Sequence, residues 1–428
     1  MVAAGYKQTV VGVLPEDWDV LPVTKITREI FLGLTSKVDY VESSGIPLIR
    51  ATDIAGGKLS FQKVRTISNK QHKALTKYRK VKRDDILVSK SGSLGVCAIV
   101  DVDDEFSIYE SIIVLQPKAS VLSSFLLWLM RDERTQMRMI GEKVGSSVAH
   151  LNIEMFRQLV VQLPPLPEQQ AIAEALSDVD GLIDGLGKLI AKKRDIKTAT
   201  MQQLLTGKTR LPGFAEGKGY KQTELGEVPE DWSVIAIGDH IDLLTGYPFP
   251  SSQYSDSGIR LLRGSNIKRG VTDWNEGIVQ YWSEVTTDIL KYELAEGDIV
   301  IAMDGSLVGS SFAQLRDIDI PALLLQRVAR IRTTHFDVGY LKEWVCGEIF
   351  TTHCDKVKTV TAIPHISPED IRMFKIASPP TKDEQQAIAA VLIDMDKELK
   401  TLTIRLDKTK SIKKGMMQEL LMGKTRLL

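Results

Sequence analysis

The sequence predicts an α+β chain: two similar mixed α/β globules, each followed by a long helix, with the two helices paired as an antiparallel coiled coil of pseudo-two-fold symmetry. Three observations predict it. First, the stretch GYKQTVVGVLPEDW (5–18) returns as GYKQTELGEVPEDW (219–232) with ten of fourteen positions identical. Second, GIPLIRATDI (45–54) pairs with GIRLLRGSNI (258–267), DILVSKSGSLG (85–95) with DIVIAMDGSLVG (298–309), and MQQLLTGKTRL (201–211) with MQELLMGKTRL (417–427). The period exceeds 200 residues, too long for a solenoid unit, so the chain is a duplicated domain. Third, each copy closes with apolar residues at steps of four and three. They are Ile172, Leu176, Val179, Ile183, Leu186 and Ile190, then Ile388, Leu392, Met395, Leu399, Leu402 and Leu406. This is one a/d seam per helix, and a seam of that kind needs a partner.

The elements follow in chain order. In each copy about 140 residues carry β-branched runs such as DILVSK and SIIVLQP between turn residues, together with the helical patch SSFLLWLMRDERTQMRMI. That mixture reads as an α/β globule. A helix then starts at Pro167, Glu168 and Gln169, and in copy two at Asp383, Glu384 and Gln385. It stops at Gly207 or Gly423, where a glycine past the last apolar residue suits a left-handed cap. The first helix runs from acidic (Glu174, Asp178, Asp180, Asp184) to basic (Lys188, Lys192, Lys193, Arg194, Lys197), and the second also ends basic (Arg405, Lys408, Lys410, Lys413, Lys414). Each gradient matches its own macrodipole, and only the antiparallel arrangement sets acid against base. The expected segments are a first globule over 1–163, a helix over 164–211, a linker and repeat opening over 212–228, a second globule over 229–378 and a second helix over 379–428.

Composition excludes several classes. At 428 residues the chain exceeds one ordinary core. It has no apolar run long enough to span a membrane and no export signal at its N-terminus, which makes the cytoplasm the expected location and a membrane partner unexpected. Lysine plus arginine balances aspartate plus glutamate at 55 each, so any polyanion contact rests on local charge. Cys97, Cys346 and Cys354 lack disulfide or metal spacing, and the six histidines form no HExxH pair. The repeated GKT fails as a phosphate loop, because Gln202 and Gln418 stand where a glycine is required. No glycine-rich cofactor loop and no GxSxG elbow appear. The chain reads as a recogniser without catalytic residues or a bound metal.

Candidate contacts lie in the loops. Arg50, Thr52, Asp53 and Lys58 in copy one, and Arg263, Asn266, Lys268 and Arg269 in copy two, carry groups suited to base edges or phosphates. The turns SGSLG and DGSLVG add Lys90, Ser91, Ser93, Asp304 and Ser306, with small residues that let backbone N–H groups approach a phosphate. The segments before each long helix add Lys143, Ser146 and Ser147, then Lys356, Lys358 and Thr361. A basic run, Lys73, Lys77, Arg79, Lys80, Lys82 and Arg83, marks copy one only. A helix from Glu168 to Leu205 is roughly 57 Å long at ~1.5 Å per residue. That is about 17 base pairs of duplex DNA at ~3.4 Å each.

The PPLPEQQAIAEAL and DEQQAIAAVL helix starts, the QQLLTGKTRL and QELLMGKTRL ends, the VPEDW stretches and the duplicated layout resemble the specificity subunits of type I restriction-modification enzymes. The likeness covers essentially the whole chain. It implies that the globules are target-recognition domains and that the coiled coil fixes the spacing of an asymmetric, interrupted double-stranded DNA target. It also implies a non-catalytic subunit that binds no cofactor itself. Two modification subunits would bring S-adenosylmethionine and methylate adenine. Two restriction subunits in the full complex would bring ATP-driven translocation and cleavage, with Mg. The competing expectation is a coiled-coil adaptor that joins protein partners without DNA specificity.

Overall fold

The computed structural model describes residues 3–33, 38–42, 45–140, 151–214, 219–360 and 363–427. The chain forms two compact units, Met1–Lys188 with Ile404–Leu428, and Leu189–Thr403. Each unit takes in one globule and a part of both long helices.

In the first unit a hairpin pairs Tyr6–Thr9 with Gly12–Pro15, and Asp19–Pro22 pairs antiparallel with Val160–Leu163, drawing the two ends of the globule together. The main sheet contains β1 (Thr27–Leu32), β2 (Ile86–Ser89), β3 (Cys97–Ile99) and β4 (Ile112–Pro117), in the antiparallel order β1-β4-β2-β3. β2 and β4 are the two apolar runs of the sequence and are buried throughout, as continuous apolar strands must be. Their alternation divides the core. Ile86, Val88, Ile113 and Leu115 pack with Phe125, Leu126 and Leu129 of α1 (Ser123–Arg131), whereas Leu87, Ile112 and Val114 pack with Ile49 and Ile54. Ile49 belongs to a smaller sheet in which Ile46–Ile49 pairs parallel with Ser107–Ile108.

The first long helix, α2 (Leu166–Leu205), contributes its residues up to Lys188 to the first unit and the rest to the second. The second unit then repeats the first. Its hairpin is Tyr220–Thr223 with Gly226–Pro229, and Ser233–Ala236 pairs with Lys375–Ser378. Its main sheet, β5 (Asp242–Thr245), β6 (Ile299–Ala302), β7 (Phe312–Gln314) and β8 (Val328–Arg332), keeps the order β5-β8-β6-β7. Ile259–Leu262 runs parallel to Ala322–Leu324, as the equivalent pair does in the first unit. The second long helix is α3 (Lys382–Leu420).

All twelve seam residues are buried or half-buried, while Leu182, Leu189, Ile196 and Ile404, off the seam, are exposed. In the first unit Asp180 of α2 bonds Lys413 of α3. In the second, Lys193 meets Glu398 at 2.7 Å and Lys197 meets Asp396 at 2.6 Å. Rising numbers on α2 meet falling numbers on α3, so in each unit the helix segments run antiparallel, with acid facing base as the gradients predict. Gly207 and Gly423 take φ values of 70° and 61°. An added Cβ would lie 2.5 Å from Pro229 Cδ and 2.6 Å from Pro15 Cδ, so both backbone hand and space demand glycine there.

The repeated motifs meet at a clamp. In the second unit Arg210 donates from Nε and Nη2 to both oxygens of Glu384 at 2.8 and 2.7 Å, and from Nη1 to Asp231 at 3.1 Å. In the first, Arg426 makes the same fork to Glu168 at 2.6 and 2.9 Å and a second fork to Asp17, while Trp18 Nε1 donates to Glu168 at 2.9 Å. Neighbouring Gln169 and Gln385 accept from the backbone N–H of Leu122 and Asp337, each at 2.8 Å, at the start of a helix of the globule. The EDW, EQ and GKTR repeats are therefore one structural device made twice: it ties the globule to the start of one long helix and the end of the other.

Candidate nucleic-acid interface

The loops after Leu262 and Ala302 converge in the second unit. A short turn over Gly264–Asn266 is closed by the Asn266 amide, whose Oδ1 accepts from Arg263 N at 3.1 Å and whose Nδ2 donates to Asp273 O at 2.9 Å. The second loop is pinned where Met303 N donates to Arg327 O at 2.8 Å and Gly305 N to Pro364 O at 3.0 Å. Between them lies a cleft of about 380 Å3, lined by Gly264, Ser265, Ile267, Lys268, Asp304, Gly305, Ser306, Leu307, Ser311, Leu325, Gln326 and Arg327.

Three predicted residues, Lys268, Asp304 and Ser306, share this cleft. Arg263 does not present its guanidinium, which donates to Ile278 O and has its Nε buried. Asn266 is fully buried with its amide satisfied, so it shapes the turn instead of offering an adenine-type contact. Arg269 is exposed outside the lining. Lys358 pairs with Asp355 at 2.5 Å, and Lys356 lines a separate depression with Glu224 and Lys375. Thr361 lies outside the described residues, as do Lys143, Ser146 and Ser147.

The first unit builds the same junction from other residues. Asp53, nearly buried, accepts from Arg50 N at 2.8 Å and so caps its turn, as Asn266 does. Ser111 joins the loops: its Oγ accepts from Ala51 N at 3.1 Å and its carbonyl accepts from Lys90 N at 2.7 Å. This places Arg50, Thr52, Lys90, Ser91 and Ser93 on neighbouring loops. Lys58 is drawn away to Asp184 of α2, and that hydrogen bond holds the Asp184 carboxyl below its usual range. Half of the basic run faces carboxylates, Arg83 with Asp103 at 3.0 Å, Lys80 with Glu105, and Arg79 with Glu29 at 3.9 Å, so its charge is compensated in part.

The glycines of the two turns have separate reasons. Gly92 and Gly305 have φ of 76° and 98° with open space around a would-be Cβ, so turn geometry selects them. Gly95 and Gly309, also left-handed at φ 74° and 81°, would in addition drive a Cβ to 2.3 Å from Gln136 Oε1 and 2.5 Å from Cys354 Cβ, so turn geometry and helix packing together select them.

Sequence reasoning missed Gln326 and Arg327. They form the turn between Leu325 and β8 in LLLQRVAR, where no glycine, proline or asparagine signals a turn. Equivalent backbone bonds, Lys90 N to Ser111 O and Met303 N to Arg327 O, put Ser111 at the position of Arg327 and Glu110 at that of Gln326. Among the described residues no His, Cys, Asp or Glu cluster suits a metal, and no helix is long and apolar enough to cross a membrane. Burial pushes the Cys97 and Cys354 thiols up to about 12, which leaves them unreactive.

The family described as the type I restriction modification DNA specificity domain matches residues 17–192 and 229–408, one match per copy. The type I restriction enzyme MjaVIII specificity subunit of Methanocaldococcus jannaschii is 26% identical over 422 residues, covering 97% of this chain and 94% of that protein. The EcoKI specificity subunit of Escherichia coli is 24% identical over 409 residues, covering 89% and 82%. The S subunit of a type I restriction-modification system from M. genitalium shares the fold, with a TM-score of 0.58 at 13% identity over 94% of this chain and 96% of that one. With both copies matched and the relatives aligned nearly end to end, the chain belongs to the family of type I restriction-modification specificity subunits.

Proposed function

We propose that the chain reads an asymmetric, two-part DNA target, one part per globule, and recruits the modification subunits that methylate it and the restriction subunits of the full complex. The observation that carries this reading is one loop junction built twice with different groups. Lys90, Ser91, Glu110 and Ser111 in the first unit stand where Met303, Asp304, Gln326 and Arg327 stand in the second. A scaffold repeated with unlike contact groups suits two unlike half-sites, since base contacts specify while the frame positions. S-adenosylmethionine, ATP and Mg belong to the partner subunits in this reading.

The test is to select duplexes from a randomised pool with the full chain bound to its modification subunit, and to map the adenines methylated. The expected result is a motif of two different short parts separated by an unspecified gap, with affinity falling steeply as salt rises. A protein-only adaptor gives no selected motif and no salt-dependent duplex affinity, and that outcome refutes the proposal.

A further inference from the structure

We infer that Arg327 is the guanine-reading residue of the second globule and that Asp304 positions it. The inference rests on the DNA-recognition reading above and assigns one base contact within it. Arg327 takes a left-handed backbone, φ 68°, which side-chain-bearing residues adopt rarely and at a cost, so the surrounding structure imposes it. The imposing contacts are visible: its carbonyl accepts from Met303 N at 2.8 Å, and Val328 N donates to Leu325 O at 3.2 Å across the turn. The result is a side chain 62% exposed at the rim of the cleft, rooted in a turn between two buried strands.

Arg260, Arg316, Arg330 and Arg332 of this globule are committed within the fold, and Arg269 is exposed outside the cleft lining. Arg260 donates to Ile318 O at 3.1 Å and lies over Trp274. Arg316 forks onto Asp319, Arg332 onto Asp298, and Arg330 is buried against Asp242. The lining residue Lys268 folds back onto Ser265 O at 2.8 Å. Arg327 alone among the basic residues of the cleft lining keeps its donors uncommitted: its nearest carboxylate, Asp304, stands 3.9 Å from Nε, beyond hydrogen-bond range. At that distance the carboxylate restrains the guanidinium without occupying its fork, leaving the two parallel N–H donors that match guanine O6 and N7. The same carboxylate disfavours a phosphate in that place, which separates base reading from backbone binding. In the first unit Ser111 fills the equivalent position, its Oγ accepting from Ala51 N, so the first half-site has no guanine contact of this kind.

Two variants separate the explanations. Arg327→Lys keeps the charge and removes the fork, and Arg327→Gly removes the side chain while suiting the left-handed turn, so neither threatens folding. Each is assembled with the modification subunit and put through selection from a randomised duplex pool, with thermal melting as the folding control. The wild type is expected to select a guanine at one position of one half-site. Both variants are expected to lose that preference by about 10- to 100-fold, keep the other half-site unchanged, and retain the wild-type salt dependence in the lysine form. Asp304→Asn is expected to weaken the same preference while strengthening binding to unrelated duplexes. An unchanged selected motif overturns the inference. So does an equal loss across all sequences with a shallower salt slope in the glycine form, which is the signature of a phosphate contact. A wild type that selects no two-part motif refutes the DNA-recognition reading itself, an outcome distinct from the other two.

Discussion

Replacing Arg210 by methionine removes the cation from a buried pair and leaves its carboxylate behind. Glu384 is 1% exposed and Arg210 6%, so neither is rescued by water once its partner is gone. Breaking a buried pair from one side costs about 3–5 kcal/mol, mostly the penalty of the stranded charge, so Arg210→Met is expected to destabilise the second unit by that amount. The matching change in the first unit, Arg426→Met, is expected to cost less. Arg426 is 25% exposed, and Glu168 keeps the Trp18 indole as a donor. The double change Arg210→Met with Glu384→Leu is expected to recover at least half of the single-variant loss, because the fully buried Glu384 charge is gone and only the more exposed Asp231 has lost its Arg210 contact. Urea unfolding followed by tryptophan fluorescence, with the slope checked for constancy, reads the wild type, these three variants and Glu384→Leu alone. If the double variant is as unstable as the sum of its singles, or if the Arg426 change costs more than the Arg210 change, burial does not set the strength of the clamp and the reasoning is wrong.

Gly207→Ala and Gly423→Ala are each expected to lower stability by more than about 1 kcal/mol, since a left-handed residue and a proline ring both oppose the added methyl; thermal melting checks it. Asn266→Ala is expected to cost about 1–3 kcal/mol by leaving the Asp273 carbonyl and the Arg263 N–H unsatisfied, so any loss of DNA binding should be accompanied by a lower Tm. Lys197→Glu sets a third acid against Glu343 and Asp396, and is expected to be more damaging than Lys193→Glu, whose partner Glu398 is half exposed. The last expectation concerns pH. Partial desolvation of the His335 ring, stacked on His240 at 4.1 Å in an otherwise exposed residue, then the charges of His240 and Lys382, lower its pKa below its ordinary 6.5. A base depressed on folding contributes full stability above its unfolded value and loses it as pH falls below that value. Melting temperature is therefore expected to drop between pH 7 and 5, and less so in His335→Gln.

The duplication, the two sheets of buried strands, the long helices and their antiparallel sense were legible because each is written as local period or as repetition. GKTR, EQ and EDW were also visible as repeats, but their meeting was not. Arg426 reaches Asp17 across 409 residues, and no local signal encodes such a contact. The candidate site was legible at the level of loops and much less so at the level of side chains. Arg263 and Asn266 have the chemistry of base readers, yet burial turned both inward, and Lys58 was captured by a carboxylate 126 residues away. Arg327 escaped notice for the opposite reason: its turn is imposed by the strands on either side and not by its own residue types.

The clamps also bear on the order in which the molecule can be finished during synthesis. The second unit is one continuous stretch, Leu189–Thr403, and its Arg210 to Asp231 contact closes a loop of 21 residues. The first unit needs Ile404 onward, and its corresponding contact waits until Arg426 has been made. Domains ordinarily mature from the N-terminus as the ribosome proceeds. Here the globule translated first must remain without its seam partner and its buried counter-charge for Glu168 while the second is completed, so its part of the seam is the last to be covered.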